Sequence, residues 1–164
     1  MKKNLTMIAA LFSAALSSAS CDHFMDVLDQ PFVMVTDEEG LSQMNILATA
    51  KDLQTTVTIS TSSRLMDSDV TISYKVIVGD GLRQGVDFTL KGALEGDLVF
   101  VPGVYRKNLY FNWYSNPSLD TSKDCSVTVE ITGCSNPEYH IGELTYDLSA
   151  PPVKTKYTYN RINN

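Results

Sequence analysis

The sequence predicts an all-β protein that is built as a sandwich of two sheets. Three observations support this prediction. Many short segments alternate apolar and polar side chains, which is the period of a half-buried strand. Clusters of glycine, proline, asparagine, aspartate and serine separate these segments and are typical of tight turns. Residues 22–164 contain no convincing amphipathic helix. With 164 residues, 43% of them hydrophobic and 20% charged, the chain has the size and composition of one globular domain.

The first 20 residues have the composition of a secretory signal peptide. Lys2 and Lys3 form a basic start, residues 7–16 form an apolar run, and small residues lead to Cys21. The apolar run is shorter than the roughly 20 residues that a membrane span needs. We therefore predict a signal peptide over 1–20, a polar tether over 21–31 and the sandwich domain over 32–164.

Cys21 follows small residues, and there the chain resembles bacterial lipoproteins, in particular those of the Bacteroidetes. Ser18 stands where the usual lipoprotein motif has leucine. The resemblance implies lipidation at Cys21 and attachment to the outer membrane through acyl chains, at the cell surface or on its periplasmic face. The alternative is a secreted protein cut near Ser20, with Cys21 incidental. The net charge of −6, without a basic cluster, argues against nucleic acid as a partner.

The strands before residue 70 are predicted in order from their apolar content and their alternation. Residues 32–36 (FVMVT) form a first strand, and DEEG at 37–40 forms a turn. Residues 44–49 (MNILAT) form a weaker strand. Val57 and Ile59 then alternate with polar neighbours, which indicates a half-buried strand. Residues 62–69 are rich in turn formers and form a loop.

The central stretch, residues 70–113, is the strongest part of the pattern. Alternate residues of 70–78 are apolar, which predicts one buried face with a firm register. Gly79 and Gly81 end this strand, and we expect them to adopt the positive φ angles of a tight turn. Short strands are predicted over 85–90 and 98–101, and Pro102 and Gly103 form a corner between the latter and the next strand. That strand buries Trp113 with Leu109 and Phe111 on one face.

The remainder of the chain continues the strand and turn pattern. Residues 116–124 form a surface loop, and Val127, Val129 and Ile131 mark an alternating strand. A short extended piece is predicted over 139–142, an irregular or edge segment over 144–154, and a closing strand over 156–161 (KYTYNR). Tyr157 and Tyr159 share a face there, and they pack against the core or line an edge.

The central stretch resembles the Calx-β type of immunoglobulin-like sandwich. The matching residues are Tyr74, the turn at 79–81, GVDF at 85–88 and LVFVPG at 98–103. Together with the N-terminus, the chain is similar to small Bacteroidetes surface lipoproteins associated with polysaccharide-utilisation systems. Those lipoproteins have no assigned activity. We predict a non-catalytic binding or accessory module at the cell surface, with a glycan or outer-membrane proteins as its partners. A structural subunit or adhesin of a surface assembly is the alternative.

The acidic loops and the cysteines of the chain are poorly placed for a calcium site or a disulfide. Ca²⁺ takes six to eight oxygen ligands, and the loop aspartates Asp80, Asp87, Asp120 and Asp124 lack the compact acidic run that a calcium-binding member of the family carries. We therefore predict no metal site and no cofactor. Cys125 and Cys134 flank one strand and would lie about 30 Å apart, beyond the roughly 7 Å limit of a disulfide. We expect two free thiols, on opposite faces.

The candidate binding residues are Tyr110, Asn112 and Tyr114, which alternate on the polar face of the strand that buries Trp113. Tyrosine rings offer an apolar body with a polar tip, which suits stacking against a sugar ring. The alternative is an ordinary outer sheet surface, where tyrosine is common for its strand propensity. The sequence contains no G-x-S-x-G elbow, no H-E-x-x-H motif and no glycine-rich phosphate loop. A small sandwich also has little room for a cleft between two carboxylates, so we predict that the protein is not an enzyme.

Overall fold

Ten strands and no helix make up the part of the chain that this computed structural model describes, residues 30–62, 66–143 and 150–163. In chain order the strands are β1 Phe32–Thr36, β2 Gln43–Leu47, β3 Leu53–Thr61, β4 Val70–Val78, β5 Phe88–Lys91, β6 Glu95–Phe100, β7 Arg106–Trp113, β8 Ser126–Cys134, β9 His140–Ile141 and β10 Lys156–Ile162.

The strands form two five-stranded sheets. Sheet 1 has the order β5-β7-β3-β1-β9, and sheet 2 has the order β2-β10-β8-β4-β6. The β1-β9 and β2-β10 pairs are parallel, and the other pairs are antiparallel. A sheet that orders the strands as β5-β7-β3-β1 opposite one that contains β4, β8 and β10 has the arrangement of an immunoglobulin-type sandwich. The predicted all-β, immunoglobulin-like fold is therefore confirmed.

Alternation along each long strand decides which face enters the core. In β4, Val70, Ile72, Tyr74 and Val76 are buried, whereas Ile77 is 40% exposed on the other face. The same period of two buries Leu109, Phe111 and Trp113 in β7. Because a slip of one residue would turn these side chains to solvent, burial fixes the register of both strands. The predicted faces of these two strands are confirmed.

The centre of the core is a cluster of five aromatic rings contributed by both sheets. Phe88, Phe111 and Trp113 come from sheet 1, and Tyr157 and Tyr159 come from β10 in sheet 2; all five are fully buried. Their neighbouring ring centroids lie 4.9–6.2 Å apart in tilted, stacked and edge-on contacts. Contacts of this kind add about 0.5–1.5 kcal/mol each beyond the burial of apolar area. Trp113 is therefore a core residue, as predicted.

Several predicted strand boundaries are wrong, and so is the predicted reason for glycine at positions 79 and 81. Strand β5 begins only at Phe88, after the predicted start at residue 85, whereas β6 begins at Glu95, before the predicted start at residue 98. Gly79 and Gly81 do not have positive φ angles. They are needed because a Cβ on Gly79 would collide with the backbone carbonyl of Asp124, and one on Gly81 would lie 2.7 Å from the Cys125 sulfur. Close approach of two chain segments, not turn conformation, excludes a side chain there.

A bulge in β8 changes the predicted orientation of Cys134. Ser73 pairs with Gly133 but Tyr74 pairs with Ile131, so Thr132 is an extra residue in β8. The extra residue shifts the alternation, and Cys134 packs against the core as Cys125 does. The two cysteines therefore do not point to opposite faces. Both are free thiols, as predicted.

The sandwich lies in the compact unit Pro31–Asn164. Residues 1–29 lie outside the described residues, so the signal peptide, the tether and the lipidation of Cys21 stay predictions, as do the domain boundaries drawn from them. Among the residues that the structure describes, no helix has the length and apolar character to cross a membrane.

Candidate functional site

The outer face of sheet 1 carries the predicted binding residues. Tyr110 and Asn112 alternate with the core residues of β7, and Tyr114 follows the end of that strand; all three are half-buried. Tyr110 lies between Thr56 of β3 and Lys91 of β5, and Asn112 lies between Gln54 and Thr89 in the same two strands. Residues directly opposite each other on paired strands share a face. The structure thus places all three on one polar surface.

A hollow of about 580 Å³ opens on this surface above β1, β3 and β7. Its walls combine hydroxyl, amide, guanidinium, carboxylate, thioether and phenol groups from the strands and from the turn after β1. The lining residues are Met34, Thr36, Asp37, Glu38, Gly40, Thr58, Ser60, Arg106, Asn108 and Tyr110. Of the three predicted residues, only Tyr110 lines the hollow; Asn112 and Tyr114 lie further along β7.

Asp37 forms the base of the turn that closes one side of the hollow. Its Oδ1 accepts hydrogen bonds from the backbone amides of Glu39 and Leu41, at 3.0 and 2.8 Å, and its Oδ2 accepts one from the Tyr157 hydroxyl, at 3.2 Å. Burial raises the pKa of Tyr157 well above its usual range, and the neighbouring Tyr159 and Asp37 add to the effect. Both carboxylate oxygens of Asp37 are therefore engaged, Oδ1 with the turn and Oδ2 with Tyr157 of the other sheet.

Hydrogen bonds orient the side chains at the centre of the face. The Thr58 hydroxyl donates to Asn108 Oδ1 at 3.1 Å, and Asn108 Nδ2 donates to the Tyr110 hydroxyl at 3.4 Å. The Lys91 ammonium lies 5.8 Å from the centroid of the Tyr110 ring. In contrast, the side chains of Arg106 and Asn112 have no hydrogen-bond or ion-pair partner among the described residues. Donors and acceptors are thus left free on both sides of a fixed ring.

Tyr114 is held from three directions at the far end of the face. Its hydroxyl and that of Thr89 are 3.1 Å apart, its amide donates to the Asp87 carbonyl at 2.9 Å, and its carbonyl accepts from Arg161 Nη2 at 2.8 Å. Asp87 is itself fixed, because its side chain accepts from the Arg83 amide and from Asn116 Nδ2, at 2.8 and 2.7 Å. The GVDF segment therefore anchors the end of β7.

The loop aspartates lie near one another at the end of the sandwich that contains Cys125. Burial raises the pKa of the Cys125 thiol, and the charges of Asp120, Asp124, Asp80 and Asp87 raise it further. Their carboxylates accept hydrogen bonds instead of remaining open: Asp80 from the Asp124 amide, Asp124 from the Ser126 amide, and Asp120 from Ser122. In the described part of the chain, no three His, Cys, Asp or Glu side chains are grouped to hold a metal ion.

Sequence reasoning missed most of the hollow. Arg106 and Asn108 continue the outward alternation of β7, so the pattern that identified Tyr110 extends to both. Thr58 and Ser60 lie opposite them in β3, and Met34 and Thr36 lie opposite those in β1. No local signal in the sequence identifies these partners, because they depend on which strands pair and in which register.

No family model matches the chain, and no curated protein matches it. Among solved structures it is similar to a Calx-β domain structure described as CBD12 from CALX1.2, with 13% identical residues and a TM-score of 0.47. The match covers 76% of this chain and 42% of the solved chain, so the protein spans about two fifths of that chain's length. This is a distant likeness in fold, and nothing about ligand or activity follows from it.

Proposed function

We propose that the protein is a non-catalytic carbohydrate-binding module that holds a glycan on the outer face of sheet 1. The observation that carries the proposal is the 580 Å³ hollow beside Tyr110. Its walls offer donors, acceptors and the face of an aromatic ring within one concave surface. Small-molecule sites are typically concave, with a few polar groups that fix the orientation of the ligand.

The charges in the hollow favour a ligand rich in hydroxyls over a multiply charged one. Glu38 and Arg106 both line it, so charges of both signs are present, together with the hydroxyls of Thr58 and Ser60 and the amide of Asn108. A hydroxyl group donates and accepts hydrogen bonds, and it can use either kind of partner. A polyanion would meet the Glu38 carboxylate at the rim.

Tyr110 supplies the stacking surface. Its ring is half-buried, and its hydroxyl is oriented by Asn108. The Lys91 ammonium lies 5.8 Å from the centroid of this ring, in a cation–π contact that is worth about 0.5–1 kcal/mol at an exposed site. Lys91 belongs to β5, whereas the hollow is lined from β1, β3 and β7, so this ammonium is a further donor on the other side of Tyr110.

The outer face of sheet 2 supports the choice of sheet 1 by contrast. Its polar side chains are largely paired with one another, in the pairs Lys156–Glu130, Thr128–Thr158, Ser73–Asp97 and Asn160–Asn45. A ligand on that face would have to break these contacts before forming its own. On sheet 1, Arg106 and Asn112 are free of such partners in the described part of the chain.

The carboxylates of the hollow support binding over hydrolysis. Glycoside hydrolysis generally needs two carboxyl groups that flank the scissile bond. Of the two acidic residues that line the hollow, Asp37 is buried with both oxygens accepting hydrogen bonds, which leaves Glu38 alone at the rim.

The pairing of the first and last strands of the described residues does not favour the alternative of an assembly subunit. A subunit that donates a strand would leave a long strand unpaired. Here β1 is paired on both sides, by β3 and β9, and β10 is paired on both sides, by β2 and β8. The four edge strands are at most six residues long, which limits edge-to-edge association.

The cellular location of the module is proposed from residues 1–21 alone. We place it on the outer membrane at the cell surface, anchored by acyl chains on Cys21, beside proteins of a polysaccharide-utilisation system. The basic and apolar segments of residues 1–16, which have the composition of a signal peptide, and the small residues before Cys21 support this location. Metabolic labelling with a palmitate analogue tests it: the wild-type chain should be labelled and Cys21→Ser should not. A labelled Cys21→Ser chain would refute the anchor.

A glycan array probed with the Cys21→Ser chain tests the proposed function. We expect binding to at least one polysaccharide class, and an affinity loss of about tenfold or more in Tyr110→Ala. Tyr110→Phe should retain most of the affinity because it keeps the ring. Thr128→Ala, on the outer face of sheet 2, is the matched control and should bind as the parent does. Binding to no glycan, or full binding by Tyr110→Ala, would contradict the proposal.

A further inference from the structure

We infer that the binding site extends beyond the hollow as a track along β7, and that its ligand is a linear glycan of at least three sugar residues. This inference rests on the proposed function. Five residues define the track, each two positions from the next: Arg106, Asn108, Tyr110, Asn112 and Tyr114. Alternate residues of a strand lie about 6.6 Å apart, so Tyr110 and Tyr114 are about 13 Å apart. That separation exceeds the length of a single sugar ring.

The surface beside the second half of the track is open. On one side, β3 contributes Thr56 and Gln54, and on the other β5 contributes Thr89. These short or flexible polar side chains present donors and acceptors, and none of them is a bulky apolar group that would block a chain lying along β7. Asn112 stands midway between Tyr110 and Tyr114 along the chain, and its side chain has no hydrogen-bond partner among the residues that the structure describes.

Tyr114 is pre-organised to end the track. Its hydroxyl contact with Thr89 and its backbone bonds to Asp87 and Arg161 fix the residue before any ligand arrives. Ordering a flexible side chain on binding costs affinity, and a residue already held avoids that cost. A ring fixed in place, with no packing role in the aromatic cluster of the core, serves as a second stacking surface.

The number of sugar residues in the ligand is therefore the variable that tests the track. Isothermal titration calorimetry is carried out on the Cys21→Ser chain with cello-, manno-, xylo- and malto-oligosaccharides of one to six residues. For the series that binds, we expect the affinity to rise at least tenfold between two and four residues and then to level off. Equal affinity for the disaccharide and the hexasaccharide would overturn the inference and leave the proposed function standing.

Variants separate the two parts of the site. Tyr114→Ala and, independently, Asn112→Ala should reduce the gain in affinity with chain length, whereas Tyr110→Ala should weaken ligands of every length. Tyr114→Phe should restore most of the gain because it keeps the ring. Thr128→Ala is again the control. If the affinity still rises with the length of the oligosaccharide in both Tyr114→Ala and Asn112→Ala, the track is wrong. If no oligosaccharide of any series binds and the glycan array is also negative, the proposed function itself is wrong.

Discussion

The two core tyrosines of β10 predict how the stability of the protein depends on alkaline pH. Tyr157 and Tyr159 are fully buried. Burial raises the pKa of both, and the charge of Asp37 adds to each. Because each pKa is higher in the folded than in the unfolded chain, the stability they contribute is complete below pH 10. It is lost above that pH, as only the unfolded chain releases the protons.

The magnitude follows from linkage. With an unfolded pKa of about 10, each tyrosine that stays neutral in the folded protein lowers the free energy of unfolding by about 1.4 kcal/mol at pH 11. Two such tyrosines lower it by about 2.8 kcal/mol, a large fraction of the 5–15 kcal/mol typical of a domain. At neutral pH, Tyr157→Phe removes the hydrogen bond to Asp37 and costs about 1–3 kcal/mol. At pH 11 the variant should recover about 1.4 kcal/mol relative to the parent.

Urea unfolding at pH 8 and pH 11, followed by circular dichroism, measures this recovery. The difference between parent and Tyr157→Phe should shrink by about 1.4 kcal/mol, and Tyr159→Phe should behave alike. Thr158→Val, between them on the outer face of β10, carries no titrating group and should differ from the parent equally at both pH values. An unchanged difference for Tyr157→Phe would show that this hydroxyl ionises as readily in the folded chain, which would refute the reasoning.

Two further predictions concern the close approach of Gly79 to Asp124 and the two free cysteines. Gly79→Ala should cost about 2–3 kcal/mol in urea unfolding because its Cβ meets the Asp124 backbone. The matched change Gly133→Ala, whose Cβ would lie 3.7 Å from Ser73, should stay within about 0.5 kcal/mol of the parent, and equal midpoints for the two variants would contradict the packing argument. Because Cys125 and Cys134 are free thiols, dithiothreitol should leave the melting temperature unchanged, whereas a fall of several degrees would reveal a disulfide.

The sequence was sufficient for the properties that depend on local alternation. The buried faces of β4 and β7, the core position of Trp113 and the shared outer face of Tyr110 and Asn112 all follow from a period of two. Strand type and side-chain direction are settled within a few residues, since successive side chains of a strand point to opposite faces.

The properties that failed depend on contacts between distant segments. The predicted direction of Cys134 was wrong because a single bulged residue, Thr132, reverses the parity of the strand end. The reason for Gly79 was wrong because the obstacle is Asp124, 45 residues away in the chain. The hollow needs β1, β3 and β7 side by side, and sequence alone does not specify that order. Non-local pairing, not strand propensity, limits what the pattern reveals about a site.

A buried arginine links the core to the proposed track. Arg161 is 2% exposed, and its Nη2 donates to the carbonyls of Ala48 and Tyr114, at 3.0 and 2.8 Å. Its guanidinium carbon lies 5.4 Å from the Trp113 ring centroid, and Nε and Nη1 are buried without a hydrogen-bond partner among the described residues.

Burying this charge is costly, since a desolvated cation without full pairing typically destabilises a fold. Burial lowers the pKa of the Arg161 guanidinium, and the nearby Asp87 carboxylate opposes this effect. An apolar side chain would fill the same space without that cost but would leave the Tyr114 carbonyl without this donor. Tyr114 is thus held at both ends: Arg161 bonds its backbone carbonyl, and the Thr89 hydroxyl contacts its phenol hydroxyl. The position of the second tyrosine is therefore tied to the core of the sandwich by the hydrogen bond from Arg161 Nη2 to its carbonyl, although two buried nitrogens of the same guanidinium stay unpaired among the described residues.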